Sequence, residues 1–284
     1  MSSRLGRYVK SAMPGAKLRE QMQDRIQRLE KLERQIVAPR VPPRCPPDWK
    51  IGAPDYVGVG TAKAGTTWWN RAISAHPQVQ SRRKELHFFQ HHWNDEFTEL
   101  QIAQYHQYFP RPEGKISGEW TPRYMLDPWT PQRLHKAAPD ARVLVLLRDP
   151  IARLRSGLRY LAFRYSGQMH PRLVDEAIAF GQYGDQLERL TRHFPRAQIL
   201  VLQLERCIAD PEGELARTFE FIGVDRSFVP DDLHDPVNEG QGRELSIPSD
   251  LIECARELYV ADARSLSDWP EIDLAFWPGV TPAR

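Results

Sequence analysis

The segment YVGVGTAKAGTTWWNRAISAHP (56–77) constrains the fold of this chain more than any other. Tyr56–Val59 is a short apolar run that reads as a buried strand. A loop bounded by Gly60 and Gly65 follows, and a helix is expected from about Thr66 to Ala75. A strand that feeds a helix through so short a loop opens a βαβ unit, because parallel neighbours need a crossover. The free N–H groups at such a helix start bind phosphate or sulfate, with the helix dipole in support. The hydroxyls of Thr66 and Thr67 can add donors.

Two nucleotide motifs nearly fit here, and both fail. Gly58 and Gly60 open a G-x-G, but position 63 is lysine where a dinucleotide fingerprint has its third glycine. Gly60 and Gly65 have the outer spacing of a Walker loop, but Thr66 stands where that loop has its lysine. Lys63 can instead reach an anion held on the helix start from the opposite side. An anion-bearing nucleotide without the ATPase arrangement fits best; an ordinary strand-to-helix turn is the plain alternative.

The segment RVLVLLRDPIARLRSGLRYLAFR (142–164) supplies the strongest buried-strand signal, Arg142–Leu147, stopped by Asp149-Pro150. Arg148 lies at the strand's C-terminal end, where ligands sit in parallel sheets. Ser156 follows eight residues later on the next helix. An arginine fork and a hydroxyl make a second phosphate clamp, although Arg153, Arg155, Arg159 and Arg164 also fit a solvated helix face. Further elements are expected at Ile116–Glu119 (strand), Ile151–Phe163 and Val174–His193 (helices), Ile199–Leu202 (strand) and Glu212–Ile222 (helix). The alternation predicts an α/β fold: a mainly parallel, P-loop-like sheet with helices on both faces.

Between the two clamps lies SRRKELHFFQHHW (81–93). Lys84, Glu85 and His87 follow the first helix and can line the same crevice. Either Glu85 or His87 can take a proton from an attacking hydroxyl. His87, His91 and His92 lack a zinc-site spacing, and no metal is expected. Trp93, Trp120 and Tyr124 are candidate acceptor contacts, with core packing as the alternative. The loop NEGQGRELSIP (238–248) sets Gly242 and Arg243 in a context that suits a lid over a phosphate and a plain surface turn equally.

Composition narrows the class. The chain has 284 residues, 41% of them hydrophobic and 10% aromatic, enough for one substantial core. A net charge of +2 gives no general pull towards nucleic acid. Residues 1–50 hold 12 Lys/Arg against 5 Asp/Glu, which fits an acidic partner, a membrane surface or a solvated arm equally well. Residues 17–36 read as an amphipathic helix that can mediate a homodimer, and 38–49 as a proline-rich linker. The expected layout is an N-terminal arm, 1–52, and a catalytic domain, 53–284. Three cysteines without metal spacing and no apolar run of membrane-spanning length point to the cytoplasm.

With these residues in place, the chain resembles the nucleotide-dependent sulfotransferases. TAKAGTTWW is similar to the soluble branch's loop for the donor 5'-phosphosulfate, RDPIARLRS to the 3'-phosphate motif, and KELHFF to a stretch of the carbohydrate branch. The resemblance implies 3'-phosphoadenosine 5'-phosphosulfate as co-substrate, leaving as adenosine 3',5'-bisphosphate. It implies that Lys63, Ala64, Gly65, Thr66 and Thr67 hold the 5'-phosphosulfate and that Trp68 stacks on adenine. Arg148, Ser156, Gly242 and Arg243 would hold the 3'-phosphate. Lys63, Glu85 and His87 would be catalytic, with Glu85 the first choice as base. The acceptor would be a hydroxyl or amine of a small molecule, glycan or lipid-like compound. A P-loop-type small-molecule kinase and a non-catalytic nucleotide-binding protein are the alternatives.

Overall fold

The computed structural model describes residues 41–80, 84–94, 96–165, 170–235 and 245–280, all in one compact unit. The expected N-terminal helix and the residues Gly242 and Arg243 lie outside the described residues. The sheet has four parallel strands in the order β2-β1-β3-β4. They are β1 (Tyr56–Gly60), β2 (Gly118–Trp120), β3 (Arg142–Leu147) and β4 (Ile199–Gln203).

Each face of the sheet is buried, which is why the strands read as unbroken apolar runs. Val57, Val59, Val143, Val145, Leu147 and Val201 point into one core; Tyr56, Leu144, Leu146, Leu200 and Leu202 point into the other. Helix α1 (Thr66–Ala75) lies on the second face through Trp69, Ala72 and Ile73. Between α1 and β2, Phe88–Gln90 forms a 3-10 turn and α2 spans Glu99–His106. Helices α3 (Thr130–Ala137) and α4 (Pro150–Arg164) give Leu134, Ile151, Leu154 and Leu158 to the first core.

The expected helix at Val174–His193 is two helices, α5 (Pro171–Ala179) and α6 (Tyr183–Thr191). The break falls at Gly181, where an added Cβ would stand 2.7 Å from the Tyr259 ring. A side chain cannot fit there, so the chain turns under the tyrosine instead of continuing. Beyond β4 come α7 (Leu204–Ala209), α8 (Pro211–Ile222) and α9 (Ser249–Ala263). The indole N–H of Trp69 donates to Thr218 Oγ1 at 3.1 Å and ties α1 to α8 across the second core.

The chain leaves β1 towards β2 on one side, and β3 leads to β4 on the other. The carboxyl ends of β1 and β3 therefore flank the switch point at which open parallel sheets bind ligands. Register slips between Gly58 and Gly60 against β3, so β1 bends where its loop departs.

The glycines that suggested a dinucleotide fingerprint have a packing cause. A Cβ on Gly58 would lie 2.1 Å from Trp120 Cδ2, and one on Gly60 would lie 2.4 Å from Met125 Sδ. Trp120 is fully buried and donates to Gly60 O at 3.2 Å, so it has nowhere to retreat. Gly58→Ala should therefore destabilise the fold by about 3 kcal/mol, the upper part of the usual overpacking range. Urea unfolding measures this, and an unchanged midpoint would mean the sheet yields around the indole.

Candidate active site

The site forms where the loops after β1 and β3 meet the start of α1. Gly65 is the N-cap of α1 with φ 86°, a left-handed conformation that glycine takes without strain. An added Cβ would also stand 2.7 Å from Leu204 Cδ1. The first turn of α1 carries no acidic residue and no side-chain cap, so its N–H groups keep their attraction for an anion. Thr66 is buried, Thr67 half-buried, and Ala64 packs into the core beneath the loop.

Three cations gather around this helix start. Lys63 sits in the loop with φ 68°, its Nζ lying 4.4 Å from the centre of the Tyr160 ring on α4. Arg148, at the end of β3, donates from Nη1 to Lys63 O at 3.2 Å and so joins the two loops. Its own carbonyl accepts the Tyr183 hydroxyl at 2.7 Å. Lys84 donates from Nζ to Thr67 Oγ1 and stands 3.3 Å from Glu85 Oε1. Burial pushes the Lys63 ammonium below the usual lysine range, Lys84 and Arg148 push it further, and Glu85 opposes them. Lys84 is lowered too, chiefly by burial. Crowded cations with one carboxylate among them are a fit for a polyanionic ligand, whose arrival would relieve their repulsion.

That carboxylate is Glu85. Its Oε2 lies 3.9 Å from His87 Nε2, an ion-pair separation too long for a hydrogen bond. Its carboxyl pKa is drawn down to about 2, first by His87, against an opposing push from burial, and then by Lys84. The Lys84 contact is the shorter of the two. Both Glu85 and His87 take left-handed backbone angles, with φ 62° and 54°. Among non-glycine residues such angles are uncommon and cost about 1–2 kcal/mol each. His87 Nδ1 is buried without a partner among the described residues.

The second clamp begins at Asp149. It caps α4 by accepting Ala152 N at 2.7 Å, and Pro150 opens the helix. Asp149 Oδ2 also takes Gly279 N at 2.8 Å, and its own N–H donates to Glu205 Oε1 at 2.8 Å. The loop that aims Arg148 is thus held on both sides. Ser156 is half-buried, two turns into α4.

Trp68 is half-buried on α1, and its indole donates to Leu233 O at 2.7 Å. Trp93 is 61% exposed. Trp120 and Tyr124 are fully buried, and this corrects their reading as acceptor contacts. Their polar tips are spent inside the protein, Trp120 on Gly60 O and Tyr124 on Glu119 Oε1 at 3.0 Å. Lys84, expected to line the crevice but given no role beyond that, and Tyr160, not singled out from sequence, complete the cluster. Lys84 adjoins Glu85, and Tyr160 lies one helical turn beyond Ser156, which is the signal that finds it. Among the described residues, no three His, Cys, Asp or Glu side chains converge as metal ligands would, and no helix is long and apolar enough to cross a membrane.

The chain is similar in sequence and fold to known sulfotransferases. Human heparan sulfate glucosamine 3-O-sulfotransferase 6 is 32% identical over 206 residues, covering 66% of this chain and 57% of its own length. Mouse heparan sulfate glucosamine 3-O-sulfotransferase 3A1 is also 32% identical over 206 residues, covering 66% of this chain and 50% of its own length. The chain thus spans little more than half the length of these relatives. The crystal structure of a sulfotransferase from Alicyclobacillus acidocaldarius superposes with a TM-score of 0.64 at 25% identity, covering 80% of this chain and 99% of that one. The sulfotransferase domain family matches residues 53–239, well over half of the sequence, and the chain belongs to that family.

Proposed function

We propose that the chain transfers a sulfuryl group from 3'-phosphoadenosine 5'-phosphosulfate to an acceptor hydroxyl and releases adenosine 3',5'-bisphosphate. The carrying observation is the convergence of Lys63, Lys84 and Arg148 on the start of α1, around the single carboxylate of Glu85. The donor brings the sulfuryl group and an anionic leaving group; the chain's residues bind, orient and move the proton. Lys63, Gly65, Thr66 and Thr67 hold the 5' end, with Lys63 offsetting charge that develops on the departing phosphate. Arg148 and Ser156 hold the 3'-phosphate, joined by Gly242 and Arg243. Trp68 offers a half-buried ring for adenine. Glu85, ionised and beside the lysines, accepts the acceptor's proton, and His87 steadies the charge.

A P-loop-like description of the β1–α1 loop is supported by the Gly65 cap, although Thr66 replaces the lysine of that motif. The same substitution weighs against the kinase alternative, which needs the lysine and a magnesium-binding carboxylate. The relatives named for heparan sulfate glucosamine support a sugar hydroxyl as acceptor.

Calorimetric titration with adenosine 3',5'-bisphosphate, ATP and 5'-AMP, without metal, tests the donor site. Micromolar binding of the bisphosphate and little response to the others is the expected result. Magnesium-dependent preference for ATP would overturn the assignment in favour of a kinase. Bisphosphate binding with no transfer, in a screen of glucosamine oligosaccharides and phenols, would favour a non-catalytic protein.

A further inference from the structure

Four successive backbone amides carry the two catalytic candidates, and every one is taken up by residues 119–124. Glu85 N donates to Trp120 O at 2.8 Å, and Leu86 N to Glu119 Oε2 at 3.4 Å. His87 N donates to Thr121 Oγ1 at 3.4 Å, and Phe88 N to the Tyr124 hydroxyl at 2.9 Å. Glu119 is the hub of this set. It is fully buried in β2, makes no ion pair among the described residues, and collects three hydroxyls. Thr121 donates to its Oε2 at 2.6 Å; Tyr105 and Tyr124 donate to Oε1 at 2.9 and 3.0 Å.

The hydrogen directions follow from the chemistry. Burial pushes the Glu119 carboxyl above the usual carboxylate range, and the hydroxyls of Thr121, Tyr105 and Tyr124 with the Leu86 amide pull against that rise. In its ionised form the carboxylate only accepts, so it turns the protons of Thr121 and Tyr124 towards itself. Each hydroxyl then has lone pairs left for the amides of His87 and Phe88. A buried unpaired carboxylate is costly, and three hydroxyls plus an amide are what make this one tolerable. The same bonds hold the left-handed turns at Glu85 and His87, which no glycine relieves.

We propose that Glu119 is a positioning residue for sulfuryl transfer: through Thr121, Tyr124 and the Leu86 amide it presents Glu85 and His87 to the cation cluster. This inference rests on Glu85 being the base. Glutamine at position 119 has nearly the same shape but must donate from one end. An amide nitrogen in the place of Oε2 would face the Leu86 N–H. In the place of Oε1 it would turn the Tyr124 hydroxyl proton back towards the Phe88 N–H. Either orientation sets donor against donor.

The test is a double-mutant cycle on the full chain with Glu119→Gln, Glu85→Gln and both together. Turnover is followed as bisphosphate release from the sulfated donor, with glucosamine oligosaccharide or nitrophenol as acceptor. Bisphosphate affinity is measured alongside by calorimetry. Glu119→Gln should lower kcat by roughly 10–100-fold and leave bisphosphate affinity within about twofold. In the Glu85→Gln background it should cost less than about twofold more, because a residue that acts through Glu85 has nothing left to position. The proposal is overturned if kcat is unchanged, if bisphosphate affinity falls in step with kcat, or if the full loss persists in that background. Should Glu119→Gln fail to fold, Thr121→Val removes the acceptor for His87 N, one donor to Glu119 and the Thr121 contact with Tyr124, and the same cycle applies. Full turnover by Glu85→Gln alone would instead refute the base assignment, a distinct outcome.

Discussion

Lys63→Ala should leave a folded protein that binds adenosine 3',5'-bisphosphate and turns over roughly 10²–10³ times more slowly. That loss corresponds to about 3–4 kcal/mol, the usual cost of removing one donor that faces charge in the transition state. The fold should survive, because the half-buried side chain sits in a loop outside the hydrophobic core, with its ammonium against the Tyr160 ring. The left-handed backbone at Lys63 costs alanine about what it costs lysine, since both carry a Cβ. Ground-state binding should weaken less than turnover, because Lys84, Arg148 and the α1 amides still meet the anion. Thermal unfolding and calorimetry separate these terms. An unimpaired rate, with the fold intact, would remove Lys63 from the mechanism.

How much of this site can be read from sequence depends on the physical kind of signal. β1, β3 and β4 are buried on both faces, so their side chains are apolar throughout and the runs stand out in the sequence. β2 is three residues, Gly-Glu-Trp, whose buried carboxylate is satisfied by hydroxyls that lie up to 14 positions away. Such a strand has only a weak local signature, and the strand expected at Ile116–Glu119 overlaps it but starts two residues early. The elements that would carry the anion clamps were legible because helix starts and strand ends have fixed chemistry: Gly65 as cap, Asp149-Pro150 as helix opening, Arg148 at a strand's carboxyl end. Trp120 and Tyr124 misled because an aromatic body with a polar tip suits a pocket wall and a core equally. Only the packing of Trp120 on Gly58 decides between them. The left-handed turns at Glu85 and His87 were invisible for a related reason. Their cause is the scaffold of residues 119–124, and neither residue type announces a positive φ.

Glu85→Gln should be the most damaging single change, lowering kcat by about 10²–10⁴, the range for loss of a positioned general base. Donor-site affinity should move the other way. Removing the one carboxylate in the cluster frees Lys63 and Lys84 to face the anion, so adenosine 3',5'-bisphosphate should bind as tightly as before or slightly tighter. A mutation that merely disordered the loop could not produce both effects. The pH dependence carries a sign of its own. With its carboxyl pKa held down to about 2, Glu85 stays ionised above roughly pH 3, and the stability it gains from its partners is lost only as pH falls from the usual carboxylate range towards 2. An activity limb at pH 5–8 would therefore belong to another group. His87→Asn removes one of the two groups that depress Glu85 and leaves the closer Lys84 in place, so its carboxyl should titrate only part of the way back to the usual carboxylate range, and the acid limb of kcat/KM should move up with it. Should Glu85→Gln keep its rate while His87→Asn loses turnover at every pH, the imidazole is the base and Glu85 its orienting partner.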